Sequence, residues 1–429
     1  MKKKYRIILY TSIFLLCVVA SIILVVKKSN SVYEEESKPK VVKHKSMLSM
    51  NLEQTAGAGD YKTVTQSKWP TEGYKFNAEL SRCENGSTLS WDDTKKAVIV
   101  SGNLSDKCYV YFDIYQPTLA EYIKSQYTGT QGENNIYYHD SDLANGAGDN
   151  SYRYAGANPN NFVCFGTTES PCPTDNLYRI IGVFGENYHG VTGKQLVKLI
   201  KYDYMTTDEL GTDGDYSQTY KEWGMDSTYK GTYGDGERIG VYYWNYKATG
   251  SATNTWSTSL LNKTNLNTNF INNIGTTWAN KIATVTWKVG GNTWANIGTK
   301  TSSVAYTNEI TNPVTTNTTD NATTYSAKIG LMYVSDYGFA ASPDAWTLTM
   351  SSYNNTTATN NNWMYMGLYE WTISRDAGSS GDAFLVNFDG FVDLSGVDSD
   401  RGVRASFNLE SSVSYVSGSG SMSDPIVIN

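Results

Sequence analysis

Histidine is scarce in this chain of 429 residues, and so is positive charge outside its first 28 residues. The only histidines are His44, His139 and His189, and no Cys-x-x-Cys pair occurs, so the sequence predicts no metal site. Residues 1–28 hold six basic and no acidic residues, which leaves 29 basic against 42 acidic residues in the remainder. Such an acidic body lacks the basic surface that nucleic-acid binding requires, and no nucleic-acid partner is predicted.

Sequence signatures of catalysis are also lacking. No serine lies in a Gly-x-Ser-x-Gly turn, and no glycine-rich stretch has the Gly-x-x-x-x-Gly-Lys spacing of a phosphate-binding loop. His189 stands alone in a glycine-flanked loop, which is more typical of a hydrogen-bonded or exposed histidine than of a general base.

A hydrolase with scattered carboxylates is the remaining enzymatic alternative. Several aspartates crowd the C-terminal segment, namely Asp382, Asp389, Asp393, Asp398 and Asp400. They stand beside glycines, where aspartate commonly serves a turn. We therefore predict a protein that is not an enzyme and that needs no cofactor.

One long hydrophobic run extends from Ile7 to Val26 without a charge. At about 1.5 Å per residue it reaches ~30 Å, the thickness of a bilayer's hydrocarbon core. The run lacks an A-x-A-like cleavage pattern, so we predict that it forms an uncleaved transmembrane helix. The predicted partner of this helix is the membrane. Cys17 lies inside the run after Leu16, which does not fit a lipoprotein cleavage site, and is interpreted as an apolar membrane-buried residue.

The other four cysteines form two local pairs, Cys83 with Cys108 and Cys164 with Cys172. An even number in close pairs is typical of disulfides made in an oxidising compartment, with unlinked buried cysteines as the alternative. Together with the acidic body, these pairs favour a single-pass cell-membrane protein whose body is extracellular. A long body is translocated largely regardless of flanking charge, so the short basic tail is expected to stay inside.

Composition divides the chain into five segments. Residues 1–28 form the predicted cytoplasmic tail and transmembrane anchor, and residues 29–60 are polar and predict a flexible stalk. Residues 61–115 contain short alternating runs and predict a small β module held by a Cys83–Cys108 disulfide. Residues 116–176 are interpreted as a helix and loop connection, in which Asp140, Asp142 and Asp149 match no complete calcium-loop signature. The main body is predicted to occupy residues 177–429.

Within the body, residues 178–184 and 196–201 are strand-like runs that predict a β-hairpin with a long connection. Residues 256–278 have apolar side chains at a spacing of four and predict an amphipathic helix. Residues 286–325 are rich in threonine and asparagine and are interpreted as a surface excursion. Residues 328–334, 371–374 and 402–404 add strand-like runs and a Gly-Val-Arg tripeptide near the C-terminus.

The order of these elements resembles a bacterial surface-protein family of unknown function whose fold is similar to C-type lectins and to formylglycine-generating sulfatase-modifying factors. The resemblance covers roughly residues 177–429. It implies an α+β protein with an N-terminal transmembrane helix, a small disulfide-linked β module and a C-type-lectin-like mixed body. In the family the tripeptide is usually followed by proline and an aliphatic residue, whereas this chain has Ala405 and Ser406.

The resemblance also implies roles for single residues. The arginine that corresponds to Arg404 is expected to be structural, with Gly402 and Trp371 beside it, and ligand contact is the alternative. The modifying factors act through cysteines, and this chain has none beyond Cys172. Calcium-dependent sugar binding is not implied either, because the Glu-Pro-Asn or Gln-Pro-Asp loop and the Trp-Asn-Asp strand of the lectins are absent.

Aromatic residues reach 13% of the chain while charged residues make up only 18%. We therefore predict a membrane-anchored extracellular binding module whose aromatic loops recognise a glycan or a protein. The alternative is a non-enzymatic envelope structural or assembly protein that binds a neighbouring protein. The candidate ligand-binding residues, for which core packing is the alternative role, are Trp346, Tyr353, Trp363, Tyr365 and Tyr369.

Overall fold

A computed structural model describes residues 48–429 except for the gaps 66–67, 71–72, 104, 224–227, 235, 314–322 and 355–358. The chain divides into two compact units between Tyr115 and Gln116. Of the described residues, 34% are in strands and 21% in helices. The predicted α+β class is therefore wrong, because strands dominate and the helices are short pieces between them.

The predicted transmembrane anchor is not supported. Within the described ranges, no helix is both long and apolar enough to cross a bilayer. The predicted localisation, a single-pass membrane protein with an extracellular body, is likewise not supported by the described residues. The hydrophobic run at residues 7–26, with Cys17, lies outside the described residues.

The first unit is built on a four-stranded sheet in the order β2-β1-β6-β3, beside a β4-β5 hairpin. Strand β1 pairs in parallel with β6, although it lies within residues 29–60, the predicted stalk. Met50 and Leu52 of β1 are buried with Val110 and Phe112 of β6, and this apolar contact explains the strand. The strands are β1 (Leu48–Glu53), β2 (Tyr61–Val64), β3 (Tyr74–Cys83), β4 (Thr88–Asp92), β5 (Ala97–Ser101) and β6 (Cys108–Ile114).

A disulfide closes the first unit. Cys83 and Cys108 are register partners on β3 and β6, and their sulfurs are bonded. A second disulfide, in the other unit, joins Cys164 to Cys172 across eight residues. The structure thus contains both of the pairings that the sequence suggests.

The second unit contains a seven-stranded sheet in the order β16-β21-β11-β10-β8-β7, with β9 pairing along β10. The predicted hairpin at 178–184 and 196–201 is confirmed, because β10 and β11 pair antiparallel. Every residue of both strands is buried, as their nearly continuous apolar sequences require.

The strands of the second unit are β7 (Ile136–His139), β8 (Ser151–Tyr154), β9 (Phe162–Cys164), β10 (Leu177–Phe184), β11 (Leu196–Lys201), β12 (Tyr216–Thr219), β13 (Gly240–Tyr243), β14 (Val285–Lys288), β15 (Thr324–Ala327), β16 (Ile329–Gly330), β17 (Glu370–Arg375), β18 (Asp382–Val386), β19 (Val392–Gly396), β20 (Asp400–Arg401), β21 (Ser406–Asn408), β22 (Tyr415–Ser417) and β23 (Val427–Ile428).

The α-helices of the second unit are α1 (Leu119–Ser125), α2 (Glu186–His189), α3 (Thr207–Leu210), α4 (Tyr220–Trp223), α5 (Ile271–Ala279), α6 (Ser302–Tyr306) and α7 (Val334–Ala340). The 3₁₀-helices are Glu133–Asn135, Thr174–Asn176, Trp256–Thr258, Trp294–Asn296, Pro343–Thr347 and Met350–Ser352, and the π-helices are Leu261–Phe270 and Thr307–Thr311.

The segment 116–176, predicted to be a connection, belongs to the second unit. Its helix α1 begins with a capping box in which the Thr118 hydroxyl and the Glu121 carboxylate each bond the other residue's backbone amide. Strands β7, β8 and β9 then join the main sheet. These residues complete the sheet, so they cannot be separated from the body at 177.

Two other predictions need correction. The helix expected over 256–278 is divided into a 3₁₀ turn, a π-helix and α5. Polar side chains in this segment bond its own backbone carbonyls and so compete with regular helical bonds, as Asn262 does at Trp256 and Asn267 at Asn262. The interpretation of 286–325 as a surface excursion is also wrong, since Trp287, Tyr306 and Ile310 are buried in the main core. Residues 314–322 of that stretch lie outside the described residues.

We predict that replacing Cys83 and Cys108 with serine lowers the free energy of unfolding of the first unit by ~3 kcal/mol, because the open chain regains loop-closure entropy. Hydrogen exchange read by mass spectrometry should show faster exchange in peptides from 48–115 and unchanged exchange in peptides from 116–429. A matched Cys164→Ser/Cys172→Ser variant should show the reverse pattern. Unchanged exchange in 48–115 would contradict the prediction.

Candidate functional site

A cluster of charged side chains is buried in the second unit. Lys198 on β11 and Asp336 on α7 have no solvent-accessible side-chain surface, and the side chain of Arg153 on β8 is 1% exposed. Charges at this depth are costly unless they are paired and hydrogen-bonded. Each charged group of the cluster therefore needs an oppositely charged or hydrogen-bonding partner.

Asp336 is the acceptor that the other groups share. Lys198 Nζ lies 2.7 Å from Asp336 Oδ2, and Arg153 Nη1 lies 3.7 Å from Oδ1. The Tyr188 hydroxyl is 2.7 and 2.8 Å from the two oxygens, and the backbone amide of Tyr333 donates to Oδ2 at 3.0 Å. One carboxylate at the start of α7 thus links a helix to two sheet strands.

The Arg153 guanidinium is surrounded by aromatic rings. The ring centroids of Phe184, Phe339 and Tyr306 lie 4.7, 4.9 and 5.0 Å from its central carbon. Its Nη2 bonds an Asp149 carboxylate oxygen at 2.8 Å. Cation–π contacts are strongest where water is excluded, so these rings compensate part of the desolvation of Arg153.

The Lys198 ammonium is also surrounded by aromatic rings. Its ammonium nitrogen lies 4.5 Å from the ring centroid of Tyr333, 4.8 Å from Tyr188 and 5.0 Å from Trp287. It also donates to the Tyr188 hydroxyl at 2.6 Å. Burial lowers the pKa of Lys198 despite the nearby carboxylate of Asp336, so its amine loses a proton more readily than an exposed lysine does.

A small pocket opens beside this cluster, with a volume of about 230 Å³. This volume is below the ~300–1,000 Å³ of drug-sized sites, so the pocket suits one small group or one unit of a larger ligand. Its lining includes two carboxylates and one amide, whereas the Tyr188 hydroxyl is bonded to Asp336 and Lys198 in the core. The lining residues are Asp149, Gly185, Glu186, Asn187, Tyr188 and Tyr306.

Two lining residues connect the pocket to the buried charges. Asp149 pairs with Arg153, and Tyr188 bonds Asp336. Burial tends to raise the pKa of Asp149, but the Arg153 guanidinium and the Ser151 hydroxyl outweigh it and hold that pKa below its ordinary value. The pocket therefore presents an ionised carboxylate whose position is fixed from behind.

The two described histidines, His139 and His189, are bonded to the backbone. The Nδ1 atoms of His139 and His189 accept backbone amides of Ala147 and Val191 at 3.0 and 3.1 Å. Burial lowers both pKa values, which favours neutral rings. No group of three or more potential ligands for a metal ion occurs in the part of the chain that the structure describes.

The aromatic residues predicted to bind a ligand are mostly core residues. Trp346 and Tyr353 have no exposed surface, Trp363 is 4% exposed and Tyr365 is 6% exposed. Their polar atoms are bound inside: the Trp346 and Trp363 indoles donate to backbone carbonyls at 2.9 Å, and the Tyr353 hydroxyl donates to one at 3.0 Å. The core covers the faces of these rings, which removes these four from the candidate site. Tyr369 is half-buried and packs against Phe388.

Arg404 lies in a second buried ion pair. Its Nε donates to Glu370 Oε1 at 2.8 Å, and its Nη2 donates to the Met364 carbonyl at 2.6 Å. Trp371 is fully buried and its indole donates to the Tyr242 carbonyl. These contacts all lie within the chain, which supports the structural role expected of Arg404 and Trp371.

Gly402 sits where a side chain has no room. A Cβ atom there would lie 2.8 Å from a Tyr204 ring carbon and 3.1 Å from the Tyr369 carbonyl oxygen. Its backbone bonds Tyr369 and Trp371 on either side. The glycine thus permits the close approach of the strand that leads to Arg404.

Sequence reasoning missed Arg153, Lys198 and Asp336. A signal was present, because Lys198 interrupts the apolar run of β11 and a charge inside a buried strand needs a partner. The partner itself is 138 residues away along the chain. Only the fold identifies it.

No protein-family model matches this chain, and no curated protein or solved structure matches it either. The resemblance to the lectin-like surface family therefore stays a prediction. Any function assigned to the chain has to rest on the geometry and charge of the pocket and of the buried cluster behind it.

We predict that Arg404→Ala destabilises the protein by ~3–5 kcal/mol, because it leaves the Glu370 carboxylate buried without its partner. The double variant Arg404→Met/Glu370→Leu should recover much of this loss. Urea unfolding of wild type, Arg404→Met, Glu370→Leu and the double variant would measure the coupling energy, with Arg404→Ala measured beside them. A mild effect of Arg404→Ala would contradict the structural role.

We predict that the site loses stability in acid through Asp149. Because its folded pKa is depressed from 3.8, its contribution is present above that value and is lost as pH falls through the folded pKa. Asp149→Asn should therefore cost ~1–3 kcal/mol near neutral pH, with a difference from wild type that narrows below pH ~4. Urea unfolding across pH would measure it, with Asp142→Asn in the same loop as the control. A pH-independent difference would contradict the prediction.

Proposed function

We propose that this chain is a non-catalytic glycan-binding protein, and that one sugar unit occupies the pocket formed by Asp149, Glu186, Asn187, Tyr188 and Tyr306. The observation that carries this proposal is one small pocket that combines the fixed carboxylate of Asp149 with the exposed carboxylate of Glu186 and the exposed amide of Asn187. Sugar hydroxyls donate to carboxylates and exchange hydrogen bonds with amides. Tyr188 and Tyr306 are only 3% and 2% exposed, so they form part of the pocket wall and offer no open ring face.

The charge of the pocket supports a neutral or amino-bearing sugar. Lys198, Arg153, Asp336 and Asp149 form two opposed pairs, so their charges offset one another. Glu186 at the mouth adds one further carboxylate and is exposed. An acidic sugar would be repelled by this carboxylate, whereas hydroxyl or ammonium groups would be attracted.

The proposal of binding without hydrolysis rests on Asp149. Glycosidases need one carboxylic acid that stays protonated, with a raised pKa, to protonate the leaving oxygen. The pKa of Asp149 is lowered instead, and its oxygens are engaged by Arg153 and Ser151. Asp149 can accept hydrogen bonds from a ligand but is poorly suited to donate a proton.

The experiment is a glycan array with the full chain, followed by titration of the strongest glycan against wild type and variants. Glu186→Gln should weaken binding about tenfold, because a charged acceptor becomes a neutral one. The matched control is Glu169→Gln, an exposed glutamate outside the pocket lining, which should bind like wild type.

Three outcomes would each contradict part of the proposal of a non-catalytic glycan-binding pocket. An array without signal, together with one stoichiometric protein partner in a pull-down, would favour the alternative of an assembly protein. Binding that Glu186→Gln and Asn187→Ala leave unchanged would place the ligand elsewhere. Release of a reducing sugar during the titration would contradict the non-catalytic assignment.

A further inference from the structure

We propose that Lys198 and Asp336 become joined by an amide bond between Lys198 Nζ and Asp336 Cγ, formed by the folded chain itself. The inference does not depend on the pocket's ligand. It assigns a covalent cross-link between strand β11 and helix α7.

The amine and the carboxyl are already in contact in the folded chain. Lys198 Nζ lies 2.7 Å from Asp336 Oδ2, and both side chains have zero exposure. The carboxyl carbon is one bond beyond that oxygen, so a small movement brings the amine to it. Groups that a fold holds side by side in this way gain effective molarities of up to about 10⁵–10⁸ M over free reactants.

The reaction balances within the pair itself. The Lys198 ammonium passes one proton to the Asp336 carboxylate, which gives a neutral amine and a carboxylic acid. The amine attacks Asp336 Cγ, a C–N bond forms and one C–O bond breaks. The departing hydroxyl takes a second proton from the nitrogen and leaves as water, so one amide and one water molecule replace the ion pair. No oxidant, reductant or other reactant is needed.

Other buried groups beside the pair can assist each step. Glu309 interacts electrostatically with Lys198 and Asp336, and burial raises its pKa, so it can hold and return a proton. Its carboxylate accepts the backbone amides of Val334 and Ser335 at 3.1 and 2.9 Å, which fixes it at the start of α7.

Arg153 completes this set. Its Nη1 lies 3.7 Å from Asp336 Oδ1 and has no hydrogen-bond partner among the described residues. This N–H is available to donate to Asp336 Oδ1. It can therefore stabilise the negative charge that develops on this oxygen when the amine attacks. The Tyr188 hydroxyl, in contact with both the amine and the carboxyl, can carry a proton between them.

The surroundings also favour the product. An ion pair buried this deeply bears a large desolvation cost, and amide formation removes both charges. The rings of Tyr188, Tyr333 and Trp287 around the amine limit the access of water, which opposes hydrolysis of the amide. The core would then contain one neutral amide in place of two buried charges.

The same strand offers an internal control. Lys201 on β11 is also fully buried and lies 3.1 Å from Glu209, but the Glu209 side chain is 19% exposed to water. Water at that carboxylate solvates its charge and competes as a nucleophile. Lys201 is therefore expected to remain a free amine.

The test is the intact mass of the full chain under denaturing and reducing conditions. We expect a mass lower by one water than the sequence requires, and a branched peptide after proteolysis that contains both Lys198 and Asp336. Peptides with Lys201 and Glu209 should be linear. A full unmodified mass, or a water loss that maps elsewhere, would overturn the proposal.

Variants provide a second measurement. Lys198→Arg cannot form the amide and should show the full mass of its sequence. Asp336→Asn should release ammonia instead of water, so its cross-linked product has the same mass as cross-linked wild type. Glu309→Gln should slow the reaction and leave a mixture of linked and unlinked chain. A water loss that persists in Lys198→Arg would overturn the proposal even if the wild-type mass agreed with it.

Discussion

The carboxylate of Asp336 is the interaction on which the second unit depends most. It begins helix α7 through the backbone amide of Tyr333 and accepts Lys198 from β11 and Arg153 from β8 at the same two oxygens. Without it, two cations would remain buried among aromatic rings and would lose the carboxylate that they share. Such a group restricts how the helix can sit on the sheet, because few arrangements satisfy all partners at once.

The buried charged groups around Asp336 fix part of the geometry of the pocket. Asp149 is fixed by Arg153, and Tyr188 is fixed by Asp336 and Lys198, so two walls of the pocket are held by the core. Glu186 and Asn187, by contrast, project from the short helix α2 and are exposed. The site thus combines rigid groups at its base with more adaptable groups at its mouth, a division that suits selective binding of a small polar ligand.

Several local features could be predicted from the sequence, and they share a physical reason. The β10–β11 hairpin has long apolar runs, and the two disulfides join cysteines only 25 and 8 residues apart. Both depend on neighbours close in the chain. The prediction failed for β1, because only Leu48, Met50 and Leu52 indicate a strand in a polar stretch. It also failed for residues 286–325, where the abundant threonines and asparagines suggested a surface segment although Trp287 and Tyr306 are buried.

The sequence by itself determined the strand-rich runs, the two local cysteine pairs and the shortage of histidine and catalytic signatures. The tertiary structure alone decided that the rings of Trp346, Tyr353, Trp363 and Tyr365 are core, and that Lys198 meets Asp336. The reason is that composition and periodicity report only local preferences and the need for burial. They do not say which distant residue fills a given space, and a buried charge acquires its partner only when the strands and helices pack together.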